Sequence, residues 1–155
     1  MDGEMNYSMT ENYKKCFEKG LKYQDFVTDI IFEKKAISLS TYSSREYQFT
    51  KGETKQGFEI KFDDMFEKTG NLYIETSEKS NAKNANFVKS GIYRDDNTWI
   101  WIIGNYKELF IFSPKYLRKM HKSKKYQYVE TPTSTGFLIP KKQVENYCLE
   151  KIIVK

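Results

Sequence analysis

Glu59, Lys61 and Glu75 are the residues of this 155-residue chain whose types and spacing point most directly to chemistry. Glu59 and Lys61 sit in Gly57-Phe58-Glu59-Ile60-Lys61-Phe62-Asp63, and Glu75 in Asn71-Leu72-Tyr73-Ile74-Glu75-Thr76. Both segments alternate apolar and polar residues with a period of two, the pattern of half-buried strands. Phe58, Ile60 and Phe62 share one face of the first, and Glu59, Lys61 and Asp63 the other. Leu72 and Ile74 share one face of the second, Tyr73 and Glu75 the opposite one. Pairing the strands would gather two carboxylates, a lysine and Asp63 on one small surface. Clustered carboxylate oxygens hold a hard cation such as Mg²⁺ or Mn²⁺, which seeks phosphate oxygens in turn. Such a cation polarises a phosphoryl group and lowers the pKa of bound water. A lysine on the same strand face can orient that water or offset charge in the transition state. The plain alternative is a surface ion pair worth at most ~1 kcal/mol. Glu-x-Lys alone is common by chance, so the weight falls on its context.

That context includes a resemblance. Glu59-Ile60-Lys61 resembles the Glu-x-Lys half of the PD-(D/E)XK nuclease superfamily. Gln56-Gly57-Phe58-Glu59-Ile60-Lys61-Phe62-Asp63, then Thr69-Gly70-Asn71-Leu72-Tyr73-Ile74-Glu75, then Ser90-Gly91-Ile92-Tyr93-Arg94-Asp95-Asp96-Asn97-Thr98-Trp99, together resemble small phage and bacterial proteins placed in it. The similarity covers residues 44–113. It implies an α/β restriction-endonuclease-like fold, a mixed β-sheet core flanked by helices, and a Mg²⁺- or Mn²⁺-dependent DNA nuclease. Glu59, Lys61 and Glu75 would be catalytic, with Glu59, Glu75, Glu46 and Asp63 as metal ligands. Homodimers are frequent in the superfamily.

The chain departs from the superfamily pattern in one place. An aspartate, often in a Pro-Asp dipeptide, usually stands on the strand before Glu-x-Lys, and residues 44–53 contain neither aspartate nor proline. Glu46 is the first substitute and Glu53 the second, while Gln48 is a candidate for the aspartate position itself, which would weaken metal binding. A second registration has Asp63 or Asp64 leading and Glu75 heading the distal pattern, with Ser77 in the lysine position and Lys79 supplying the amine. The first keeps an intact Glu-x-Lys. Both use Glu75.

Length fits one domain over residues 1–155, with an N-terminal segment, residues 1–10, expected to be flexible. The hydrophobic fraction is 39%, but 12 Tyr and 11 Phe supply bulky core material. No apolar run is long enough to span a bilayer and no signal peptide is evident, so a cytoplasmic protein is expected. Cys16 and Cys148 form no close metal-binding pair; one long-range disulfide is the alternative to the plainer reading of two reduced thiols.

The net charge of +5 favours an anionic partner. Lys115, Arg118, Lys119, Lys122, Lys124 and Lys125 crowd one stretch with His121, interleaved with Tyr116, Tyr126 and Tyr128. These cations could neutralise DNA phosphates, and the tyrosines could stack on an unpaired base. A solvated helix end has the same composition. The lone histidine makes no metal cluster.

The remaining elements must position these groups. Tyr13, Phe17, Leu21, Phe26, Ile30 and Ile31 have helical spacing, predicting a helix over 11–34 that Gly20 weakens. The resemblance implies an acidic residue on this helix near the metal site; Gln24, Asp25 and Asp29 are the nearby residues, and none stands out. Residues 36–42 alternate like a strand, and 78–89 read as an exposed loop close to DNA. Residues 97–103 and 108–112 flank Gly104-Asn105-Tyr106-Lys107, predicting a hairpin dense enough to be covered on both faces. Ser113-Pro114 is a helix start, leading through about 122. A short strand is expected over 137–139, a helix over 141–149 and a strand over 151–154. Two functions follow: a metal-dependent deoxyribonuclease, or a catalytically silent DNA-binding or interaction module of the same fold.

Overall fold

The computed structural model describes residues 2–155, with the side chains of 11, 14–44 and 46–155. The Tyr13 side chain lies outside the described residues, and residues 2–10 of the segment expected to be flexible form the first turns of the opening helix. Helix α1 (Asp2–Lys35) continues through Gly20. Tyr23, Val27, Ile30 and Ile31 recur at intervals of four, three and one, which sets them on one stripe, and all are buried. Phe17 and Leu21, expected on that stripe, are exposed instead.

The chain then runs through α2 (Arg45–Lys51), β1 (Phe58–Phe62), α3 (Phe66–Thr69), β2 (Asn71–Glu78), β3 (Val88–Lys89), a 3-10 turn (Gly91–Tyr93) and β4 (Ile100–Gly104). It continues with β5 (Glu108–Phe112), α4 (Pro114–Lys122), β6 (Gln127–Glu130), β7 (Ser134–Pro140), α5 (Lys141–Tyr147) and β8 (Glu150–Ile153). Among the described residues these strands form two four-stranded sheets, ordered β1-β4-β5-β8 and β3-β2-β7-β6. In the first, β1 runs parallel to β4, with Glu59 opposite Trp101 and Lys61 opposite Ile103; its other pairs are antiparallel. The second is antiparallel throughout. The molecule is therefore mixed α/β, with one mixed sheet.

The first sheet is the middle layer. One face packs Ile60, Ile102 and Leu109 against Tyr23, Val27 and Ile31 of α1. The other packs Trp101, Ile103 and Phe110 against Leu72, Ile74 and Phe137 of the second sheet and Leu117 of α4. This double coverage is what the dense apolar runs of β4 and β5 require. Each large apolar side chain so buried contributes about 1.5–3 kcal/mol. Ser113 caps α4, accepting from the Tyr116 N–H at 3.4 Å, with Pro114 in the first turn.

Two expectations are corrected. β1 and β2 do not pair; they belong to different sheets. Between them α3 ends on Gly70 in the left-handed conformation (φ 72°), which redirects the chain, and β4 takes the place beside β1. Residues 36–42 form no strand, only a bridge from Thr41 to Thr54. Their partner stretch is broken by positive φ at Gly52 and Gly57, so no ladder can extend. The region upstream of Glu59 instead holds α2, framed by Ser44, which accepts from the Tyr47 N–H, and by Gly52.

Candidate active site

The site is built on the edge strand β1 and the segment that precedes it. Glu59 and Lys61 point to the same side of β1, and Lys61 Nζ lies 3.1 Å from Glu59 Oε1. Glu59 is almost fully buried at 3% exposure, and Thr98 Oγ1 stands 3.4 Å from its second oxygen. The Lys61 ammonium also lies 5.6 Å from the centre of the Trp101 ring, within cation–π range.

Glu53 completes the inner cluster. Gly52 (φ 124°) is packed so tightly on Asn97 that a Cβ would come within 1.8 Å of its side-chain oxygen, and this backbone path delivers Glu53 to β1. Glu53 Oε1 accepts from the Ile60 N–H at 3.1 Å and from Gln24 Nε2 of α1. Burial, and then the negative charge of Glu59, raise the Glu53 carboxyl to a pKa of about 7. Lys61 is pushed above the ordinary lysine range, chiefly by Glu59, with Glu53 and Glu75 adding to it.

Glu75 approaches from the second sheet. It lies on the face of β2 opposite Leu72 and Ile74, and its Oε2 accepts from Ser90 Oγ at 3.0 Å. Burial raises its pKa, while Lys61 and Ser90 oppose the rise. Gly91 (φ 56°) makes this approach possible: a Cβ there would stand 2.1 Å from the Glu75 carbonyl oxygen. Lys61 lines three open clefts at once. One holds Gln24, Gln48, Glu53 and Lys19; a second holds Asp63, Tyr73, Glu75 and Trp101. The third, about 760 Å³, holds Glu75, Phe49, Lys79 and Arg94.

The structure therefore brings Glu59, Lys61 and Glu75 into one neighbourhood, from two sheets rather than one. Glu46 is exposed in the first turn of α2, and Glu53, the second substitute, occupies the place beside Glu59. Asp63 faces the second cleft, but its oxygens cap backbone, accepting from the N–H groups of Met65 at 3.1 Å and Tyr73 at 2.9 Å. Asp25 and Asp29 are exposed, whereas Gln24 touches Glu53. Lys115, Arg118, Lys119, Lys122, Lys124 and Lys125 line none of the three clefts. Arg118 donates to the Ile92 carbonyl at 3.0 Å, and Lys122 and Lys124 border a separate pocket. The cations beside the acidic cluster are Lys19, Lys79 and Arg94. Arg94 lies 5.0 Å from the Phe49 ring centre and Lys79 4.2 Å from that of Phe87.

Trp101 adds a group that sequence reasoning missed. Its indole N–H is buried without an acceptor among the described residues, and the ring lines the cleft shared by Lys61 and Glu75. An apolar run carries no signal that one of its members will face a polar cleft.

The donor set suits a hard cation, because it offers carboxylate oxygens and no soft ligand. Among the described residues no group of three or more His, Cys, Asp or Glu side chains converges as a ready-made metal cage. Mg²⁺ does not need one, being commonly held by one or two carboxylates plus substrate phosphate and water. Comparison with protein-family models, curated proteins and solved structures gives no match.

Proposed function

We propose that this protein is a metal-dependent nuclease that hydrolyses DNA phosphodiester bonds, built on a restriction-endonuclease-like core. The observation that carries the reading is Lys61, held between Glu59, Glu53 and Glu75 at the junction of three open clefts. Glu59, with Glu53 or Glu75 beside it, would hold Mg²⁺ or Mn²⁺, substrate phosphate and water completing the shell. When bound, the cation supplies Lewis-acid polarisation of the phosphoryl group. Glu59 keeps Lys61 protonated and fixes its direction, so the ammonium serves as a charge donor and not as a base. Glu53, with its raised pKa of about 7, changes charge near neutral pH and can exchange a proton with water there. Lys79 and Arg94 supply phosphate contacts along the third cleft, and Phe49 offers a flat apolar face to a base.

The lack of a three-carboxylate convergence among the described residues favours a second reading, a DNA-binding or interaction module without catalysis. Metal titration by calorimetry and nicking assays on duplex, branched and single-stranded DNA separate the two. Lys61→Ala abolishes cleavage and leaves metal binding largely intact, because an ammonium does not ligate a cation; Glu59→Gln impairs both. Thermal melting verifies that each variant is folded. Cleavage that persists in a Glu59→Gln/Lys61→Ala double variant removes this site as the engine. A wild type that cuts no substrate leaves the silent module.

A further inference from the structure

A second cavity lies apart from the acidic cluster, about 440 Å³ in volume, lined by Tyr93, His121, Tyr126, Tyr128, Phe137 and the two lysines Lys122 and Lys124. Its walls are aromatic on several sides. The His121 ring stacks on Phe137 at 5.5 Å and 22°, and Tyr126 leans on the same phenyl ring at 5.9 Å. Tyr93 meets His121 edge-on, and its hydroxyl lies 2.6 Å from His121 Nδ1. Tyr128 stands opposite Phe137 in the β6–β7 ladder, is 60% exposed, and donates its hydroxyl to Glu130 at 3.0 Å, which fixes the ring at the mouth.

The rim is cationic. Lys124 adopts a left-handed backbone (φ 57°), its N–H bonding the His121 carbonyl at 3.2 Å, and this turn ends α4 with Lys122 and Lys124 both on the cavity wall. Among the described residues no carboxylate lines the cavity; the nearby Glu130 is engaged by the Tyr128 hydroxyl, and the two lysines outnumber it. An aromatic cage alone would also suit a quaternary ammonium, but two lysines at the rim repel a cation and attract an anion. The chemistry recognised is a flat ring carrying a negatively charged group.

We propose that this cavity binds one unstacked nucleotide, its base against Tyr128 and Tyr126 and its phosphate between Lys122 and Lys124. The nucleotide can come free or as one unit of a single strand. The inference does not rest on cleavage at Glu59 and Lys61, since the two sites share no lining residue.

The test is calorimetric titration of the full chain, in EDTA, with dAMP and separately with a short single-stranded oligodeoxynucleotide. Binding of dAMP identifies a free-nucleotide pocket; binding of the oligonucleotide alone identifies a strand subsite. Tyr128→Ala, on the exposed strand β6, weakens the bound probe about tenfold, the order expected for loss of one base–aromatic stack. Lys122→Gln/Lys124→Gln lowers the salt slope for the oligonucleotide by about 0.7 for each phosphate no longer neutralised. Lys119→Gln, on the same helix but off the cavity, changes neither. Failure of both probes to bind, or equal binding by Tyr128→Ala and wild type, overturns the proposal. A wild type that binds dAMP but cleaves no DNA in Mg²⁺ or Mn²⁺ overturns the active-site reading alone.

Discussion

Replacing Glu53 by glutamine gives a stability change whose size depends on pH. In the folded chain the Glu53 carboxyl is raised from 4.5 to about 7, first by burial and then by the Glu59 charge. A raised carboxyl pKa means that the folded state holds its proton more tightly than the unfolded chain. Its contribution to stability is fully present below about pH 4.5 and is lost as pH rises through about 7. At 1.36 kcal/mol per unit, that loss is about 3 kcal/mol by pH 8. A glutamine in this place would carry no charge, and its side-chain oxygen could still accept from the Ile60 N–H and Gln24 Nε2. Glu53→Gln is therefore nearly neutral at pH 4 and up to about 3 kcal/mol more stable than wild type at pH 8. For a chain of this size the gain corresponds to roughly 6–12 °C in Tm. The assay is a set of melting curves from pH 4 to pH 8 for both proteins, without divalent cation. Parallel wild-type and variant profiles, or destabilisation at pH 8, would refute the argument that Glu53 is a buried acid beside a like charge. Adding Mg²⁺ at pH 8 should raise the Tm of the wild type more than that of the variant, and the variant should cut poorly. A stability gain that costs activity is the usual sign of a functional group held against its own preference.

Two further perturbations probe the approach of Glu75 and the nucleic-acid track. Gly91→Ala destabilises by about 2–4 kcal/mol, roughly 1–2 from the left-handed φ and the rest from contact with the Glu75 carbonyl, and it lowers cleavage by displacing Glu75; melting and nicking assays read both. Lys79→Gln/Arg94→Gln flattens the salt dependence of DNA binding at the cleft, whereas Lys115→Gln/Lys119→Gln leaves cleavage unchanged; the reverse result would return the substrate track to α4.

The elements most legible in the sequence were those with redundant signals. The β4–β5 hairpin combines two dense apolar runs with a polar turn, and Ser113-Pro114 marks the start of α4 through both a cap and a fixed φ. Residues 36–42 show how alternation alone misleads, since a strand also needs a partner able to extend beside it. Glu59 and Lys61 were readable because spacing within one strand fixes a common face. Alternation pairs β2 with β1, whereas Glu75 reaches the cleft of Lys61 from the other sheet, because the helical turn at Phe66–Thr69 that redirects β2 carries only four residues. The choice between Glu46 and Glu53 was beyond local pattern: it depends on α2 closing at Gly52, and Ser44 with Gly52 were the signals that framed that helix.

The open side of β1 has a consequence for self-association. As the outer strand of its sheet, β1 would present unpaired backbone donors to any passing strand. Two of these are already taken from within: the Phe58 N–H donates to Thr54 Oγ1 at 2.8 Å and the Ile60 N–H to Glu53 Oε1 at 3.1 Å. Side chains of the preceding loop stand in for a neighbouring strand and deny that edge to a second molecule. Truncating Glu53 to alanine would thus uncover a sticky rail as well as remove an acid, tying the solubility of the protein to the residue that also completes its charged cluster.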